Sequence, residues 1–201
     1  MRFWKQWSLV LVLAVTLAQW VWTLSPASTQ ARARESSTAE PTQAERTGSS
    51  LGTAQVLGVF FTPPSGAGKA LVRWIDDARQ EVVVQAYGFT HNAIAQALLR
   101  AHLRGVRVAV LLDQKSSSTN QYVIDLLQGS NIELRFDGAH AIAHNKVMVI
   151  DHRIVVTGSF NFTNSADSRN AENLLILDAP SLAAHYQTNW QTHWAHASTR
   201  P

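Results

Sequence analysis

Residues 144 to 166 read HNKVMVIDHRIVVTGSFNFTNSA, which sets His144, Lys146, Asp151 and Gly158-Ser159-x-Asn161 into a stretch otherwise made of strand-forming aliphatics. Side chains two apart on a strand share a face, so His144 and Lys146 project together while Asn145 and Val147 point the other way. Asp151-His152-Arg153 has the composition of a tight reversal, and the returning strand carries Ser159 and Asn161 back towards His144 and Lys146. Such a set suits a phosphodiester. A neutral imidazole can attack phosphorus to give a covalent phosphohistidine, dividing one difficult displacement into two easier ones. A lysine stabilises the charge that builds on the non-bridging oxygens, and hydroxyl and amide donors complete the cradle. The scheme requires no metal or cofactor, because the cations are side chains.

The elements that must position these residues follow from the apolar pattern. From about residue 56 the chain alternates: a strand at 56–61, a helix at 67–79, a strand at 81–87, a helix at 91–104 and a strand at 106–112. A third helix at 118–128 precedes a strand at 131–136, a strand pair at 146–151 and 153–157, and a strand at 173–177. The closing helix, from about 180, sets Leu182, Tyr186, Trp190 and Trp194 at steps of four as core anchors. Alternation of this kind predicts a single α/β domain with a mixed, largely parallel sheet and helices on both faces.

The chain has 201 residues, 46% of them hydrophobic, enough for one well-packed domain and short for two. It contains no cysteine, which excludes a disulfide framework, a thiol nucleophile and thiolate metal sites. The first 33 residues have the layout of a secretory signal: Arg2 and Lys5, an apolar run, then a small polar segment with Ala31-Arg32-Ala33 as a cleavage site. Residues 8–24 either leave with that signal or remain as a tether to the inner membrane; the expectation is an exported, periplasmic protein. Residues 34–50, rich in Ser, Thr, Glu and Gly, read as a flexible linker, and 51–198 as the folded domain. Three of the 17 Lys and Arg residues lie in 1–33, which has no acid, so 14 basic residues face 14 acidic ones in the remainder. A nucleic-acid footprint is therefore not visible in the net charge and must rest on local placement.

The order His144-x-Lys146, Asp151, Gly158-Ser159-x-Asn161 resembles the HKD motif of the phospholipase D superfamily. The stretches AYGFTHNAIAQALLRAHLRGVRVAVLLD (86–113), GSFNFTNSA (158–166) and NAENLLIL (170–177) resemble its small single-motif bacterial periplasmic endonucleases. The resemblance implies His144 as the nucleophile and Lys146, Ser159 and Asn161 as phosphate ligands. It also implies Glu172 as the acid that orients the histidine; Asp151 belongs to the motif and supports the turn. Because the family uses two histidines and one complete motif is present, it implies a homodimer with two His144 residues facing across a two-fold axis.

Other residues are weaker candidates. Tyr87 and Phe89 flank Gly88 at a strand end and could wall a cleft or belong to the core, and Lys115 could contact a backbone phosphate or simply cap a helix. His140 could line the cleft, and His152 sits in the reversal. His185, His193 and His196 lie on the closing helix with no carboxylate nearby in sequence, and no metal site is assigned to them. The function expected is a metal-independent endonuclease acting on DNA, with RNA as a further candidate substrate and little sequence preference. Its alternatives are a cardiolipin-type phospholipid phosphodiesterase and a non-catalytic nucleic-acid-binding subunit.

Overall fold

The computed structural model describes residues 52–201, and the expected signal segment and linker lie outside the described residues. The chain runs β1 (Gln55–Thr62), α1 (Ala67–Asp77), β2 (Glu81–Ala86), α2 (Asn92–Leu103), β3 (Arg107–Asp113), a 3-10 turn (Gln114–Ser116) and α3 (Ser117–Gln128). It continues through β4 (Glu133–Asp137), β5 (Lys146–Ile150), β6 (Ile154–Gly158), α4 (Asn164–Ser168), β7 (Glu172–Asp178) and α5 (Pro180–His196). One seven-stranded sheet forms in the order β1-β7-β6-β5-β2-β3-β4.

The apolar runs that read as doubly covered strands are buried on both faces. Val82, Val84 and Ala86 of β2 pack with Leu71 and Ile75 of α1, Leu98 of α2 and Leu127 of α3. Val83 faces the other way, with Ala109, Leu111, Val147, Val149 and Trp190 of α5. Trp190 fixes α5 to the sheet by donating its indole N–H to the Val84 carbonyl at 2.9 Å and stacking on Trp194, 4.5 Å between centroids. Leu182, Tyr186 and Trp194 pack partly buried beside it, as their spacing predicts.

The sheet is mixed, as expected, with parallel pairing confined to β2–β3–β4. The β2–β5, β5–β6, β6–β7 and β7–β1 pairs are antiparallel. A parallel neighbour needs a crossover, usually helical, and none lies between β4 and β5 or between β5 and β6. The β5–β6 reversal spans three residues, Asp151 to Arg153: Arg153 N–H bonds the Ile150 carbonyl at 3.1 Å, and Asp151 and His152, the central residues of that turn, have φ of 52° and 57°. Positive φ at both central positions is the primed turn whose twist suits a hairpin.

These directions gather the carboxyl ends of β1, β2, β3, β4 and β6 and the amino ends of β5 and β7 at one end of the sheet. Asp151 lies at the other end. Its carboxylate accepts from the backbone N–H groups of Arg79, Gln80 and Glu81 at 2.7 to 3.1 Å, tying the α1–β2 junction to the hairpin. Asp151→Ala should destabilise the domain by about 1–3 kcal/mol through loss of charge-assisted bonds. Urea unfolding checks this, and a midpoint unchanged from the parent would refute the tie.

Candidate active site

The site is built where β2 ends and β5 begins. Ala86 pairs with Lys146, and the Tyr87 N–H extends the ladder by one residue, donating to the Asn145 carbonyl at 3.0 Å. His144 and Lys146 consequently lie on the same side, both against Tyr87. The His144 ring meets the Tyr87 ring edge-on at 4.7 Å between centroids, and Lys146 Nζ lies 5.3 Å from the centre of that ring. His144 is exposed while Lys146 is 7% exposed. Lys146 Nζ donates to the His144 carbonyl at 2.8 Å, which braces the backbone under the imidazole. Burial pushes the Lys146 ammonium below its ordinary pKa, and the negative charge of Glu172 partly opposes that shift.

On the neighbouring strands, Gly158 makes the approach of β6 to β7 possible. Its φ is 149°, and a Cβ there would collide with the Asn173 carbonyl oxygen. The N–H groups of Ser159 and Phe160 both donate to that carbonyl, at 3.1 and 3.2 Å, so the strand ends in a kink that presents Ser159. Ser159 Oγ donates to Glu172 Oε2 at 2.6 Å and accepts from the Asn173 N–H at 3.0 Å. Asn161 Oδ1 accepts from the Gly88 N–H at 3.4 Å, beside Tyr87.

His144, Lys146, Ser159, Asn161 and Glu172 thus occupy one end of the sheet, linked by contacts through Tyr87, Gly88 and the Glu172 charge. Glu172 differs from its expected role. Its carboxylate accepts from Ser159 and, at 3.1 Å, from Asn170 Nδ2, and among the described residues no hydrogen bond joins it to His144. In this arrangement it orients the Ser159 hydroxyl and supports the lysine's charge. Asp151 is not part of the group, since β5 separates it from Lys146.

Among the other candidates, Tyr87 walls the site, whereas Phe89 is fully buried against Phe162, 5.7 Å between centroids. Lys115 is engaged, donating to the Ala141 carbonyl at 2.6 Å. His152 bonds Gln187 at 2.9 Å in the reversal, away from this end. Two positioning residues escaped the sequence reading. Buried Asp113 accepts from the Ala143 N–H at 2.7 Å, fixing the loop one residue before His144, and from the Ser116 N–H and Oγ. Asn120, fully buried, accepts from the Phe89 N–H at 2.7 Å and donates to the Tyr87 carbonyl at 2.8 Å. Both lie in the polar stretch DQKSSSTNQ, where nothing local marks them as core residues.

Residues 71–194 match the family model described as "Cardiolipin synthase, PLD-like domain". The chain belongs to the phospholipase D-like family. It is 44% identical over 130 residues to a Rickettsia prowazekii protein named phospholipase D, covering 65% of this chain and 63% of that one. A Chlamydomonas reinhardtii mitochondrial cardiolipin hydrolase is 31% identical over 128 residues, covering 62% of this chain and 57% of that protein. The chain therefore spans less than two thirds of these relatives' lengths. The crystal structure of Nuc from Salmonella typhimurium, described as a phospholipase D family member, superposes with a TM-score of 0.70 at 32% identity. That match covers 74% of this chain and all of that one.

Glu172→Gln removes the one charge that raises the Lys146 pKa while leaving burial in place, so that pKa should fall further. An NMR titration of the Lys146 side chain reads the shift, and an unchanged or higher value would show that Glu172 does not act on the lysine.

Proposed function

We propose that this protein is an exported, metal-independent phosphodiesterase that cleaves DNA, extending to RNA, through a phosphohistidine on His144. The observation that carries the reading is the convergence of an exposed imidazole and a desolvated lysine on one side of Tyr87, with Ser159 and Asn161 presented beside them. An exposed nucleophile at the open end of a sheet suits a polymer strand that passes over the surface. Low sequence preference follows from ligands that address phosphate rather than base edges.

In the first step a ring nitrogen of neutral His144 bonds to phosphorus. The P–O bond to the leaving oxygen breaks, and a protonated histidine supplies the proton that oxygen takes. Lys146, Ser159 and Asn161 hold the non-bridging oxygens. In the second step water attacks the phosphohistidine, the second histidine accepts its proton, and His144 is released unchanged. One chain offers one such motif, so the second histidine is assigned to the His144 of a second copy across a two-fold axis. The two would titrate as a pair and give a bell-shaped pH–rate profile whose limbs belong to neither alone. The N-terminal apolar run would deliver the domain to the periplasm, released or tethered.

A second reading is a cardiolipin-type phosphodiesterase. Phe61 and Ile142 are 68% and 50% exposed, respectively on the strand end paired with β7 and two residues before His144. Apolar groups in those places suit either contact with a lipid or a face between two copies.

The deciding experiment incubates the full chain with plasmid DNA and with cardiolipin vesicles in excess EDTA, beside His144→Ala and Lys146→Ala. Plasmid cleavage should persist in EDTA. It should fall by at least about 10²–10⁴-fold in His144→Ala, which loses nucleophile and proton donor together, and by about 10²–10³-fold in Lys146→Ala. Cleavage of lipid alone would transfer the assignment to the second reading. Activity retained in His144→Ala would overturn the mechanism for either substrate.

A further inference from the structure

A second group of histidines lies at the same end of the sheet, beyond β3 on the edge strand. Asp137, the last residue of β4, is 1% exposed, and its carboxylate is the focus of three imidazoles. His193 Nδ1 lies 2.6 Å from Oδ2, His196 Nε2 lies 3.2 Å from Oδ1, and His140 Nδ1 lies 3.1 and 3.2 Å from the two oxygens. One ligating atom from each of the four residues falls within 4.8 Å of every other. The donors come from two pairs, Asp137-x-x-His140 and His193-x-x-His196, 56 residues apart between their leading members.

We propose that Asp137, His140, His193 and His196 form a four-ligand site for a divalent transition metal of the zinc class, clasping the last turn of α5 to the end of β4 and to the loop that leads to His144. The donor types fit: imidazole nitrogen and one carboxylate oxygen suit zinc, nickel, cobalt or copper, whereas magnesium and calcium demand mainly oxygen. A tetrahedron with bonds of 2.0–2.1 Å places its donors roughly 3.3 Å apart, close to the observed nitrogen–carboxylate separations. With four protein donors the site is closed, which marks it as structural.

The electrostatics favour a cation at the centre. Three imidazole centroids lie 4.8, 5.4 and 5.6 Å apart, so full protonation would crowd three like charges around one carboxylate. Three neutral rings would leave a buried anion with no cation beside it. A divalent metal takes the three lone pairs and neutralises the carboxylate in one arrangement.

The frame around the site is already set. The Ala139 N–H donates to Asp137 Oδ1 at 3.1 Å, orienting the carboxylate. Arg135 donates to the Trp194 carbonyl at 2.8 Å, and Phe136 and Ser198 exchange both backbone hydrogen bonds, which pins the end of α5 and the residues after it against β4. His140 and His196 are about half and one-third exposed, leaving a path for the ion to enter.

The test uses the full 201-residue chain, stripped with chelator and dialysed free of it. Isothermal titration with zinc chloride should give one site per chain and a raised Tm, while magnesium should give neither. His193→Asn and His196→Asn should each weaken zinc binding by at least about 100-fold, whereas His185→Asn, on the same helix and outside the cluster, should leave it unchanged. Because a variant could lose its fold, cobalt is added to the parent chain as well, where a four-coordinate site gives intense visible bands. Zinc binding equal in all four chains, or a cobalt spectrum of the weak six-coordinate type, would overturn the proposal. Neither readout depends on phosphodiester cleavage, so the clasp stands or falls separately from the proposed activity.

Discussion

The antiparallel pairing of β2 with β5 is the constraint on which the rest of the site depends. Val82 to Ala86 fix the register of Ile150 to Lys146, and the Tyr87 bond to Asn145 carries it one step past the strand end. A slip of one residue would turn Lys146 and His144 to the face occupied by α5 and bring Val147 and Asn145 to the Tyr87 side. Register is hard to slip here because β2 is buried along its whole length, with Val82 and Val84 in one core and Val83 in the other. Chemistry at the end of β5 is therefore specified by packing in the middle of it.

That pairing positions the backbone, and buried polar groups complete the positioning. Asp113 at the end of β3 and Asn120 in the first turn of α3 bond main-chain groups of Ala143, Tyr87 and Phe89 that have left the sheet ladder. An unpaired buried amide costs about 1–3 kcal/mol, so these loops hold one conformation in place of several. Lys146 is also placed at a cost, since burial opposes its charge. The negative charge of Glu172 offsets part of that cost.

Much of this was legible in the sequence because it is local. The strands, the reversal at Asp151-His152 and the order of the motif residues each follow from a few neighbouring positions, and the two-residue strand period alone put His144 and Lys146 on one face. Strand direction beyond β4 was less legible: alternation implies parallel pairing, while the helix-free link from β4 to β5 reverses the chain. The role of Glu172 depends on a side-chain contact with Ser159, thirteen residues away across two strands. Asp137 and His193 were invisible as a pair for the same reason, although each His or Asp stands three residues from its local companion. What sequence lacks in each case is the contact between distant segments, and only sheet order supplies it.

The two histidine groups place one type of side chain in opposite surroundings. His144 stands exposed against an aromatic edge, and among the described residues no carboxylate hydrogen-bonds its ring. That open position is what the proposed reaction asks of its nucleophile. Four residues earlier His140 is committed to Asp137, together with His193 and His196, and their nitrogens point inward at one carboxylate. Nitrogens held that way suit the proposed metal site rather than the proposed reaction. The loop 138–145 joins the two environments, and it is fixed between them by Asp113 on Ala143 and Lys115 on Ala141. His140 and His144 thus sit on one short segment braced at two points between them, so packing at the edge of the sheet and the placement of the residue at its centre share the same backbone.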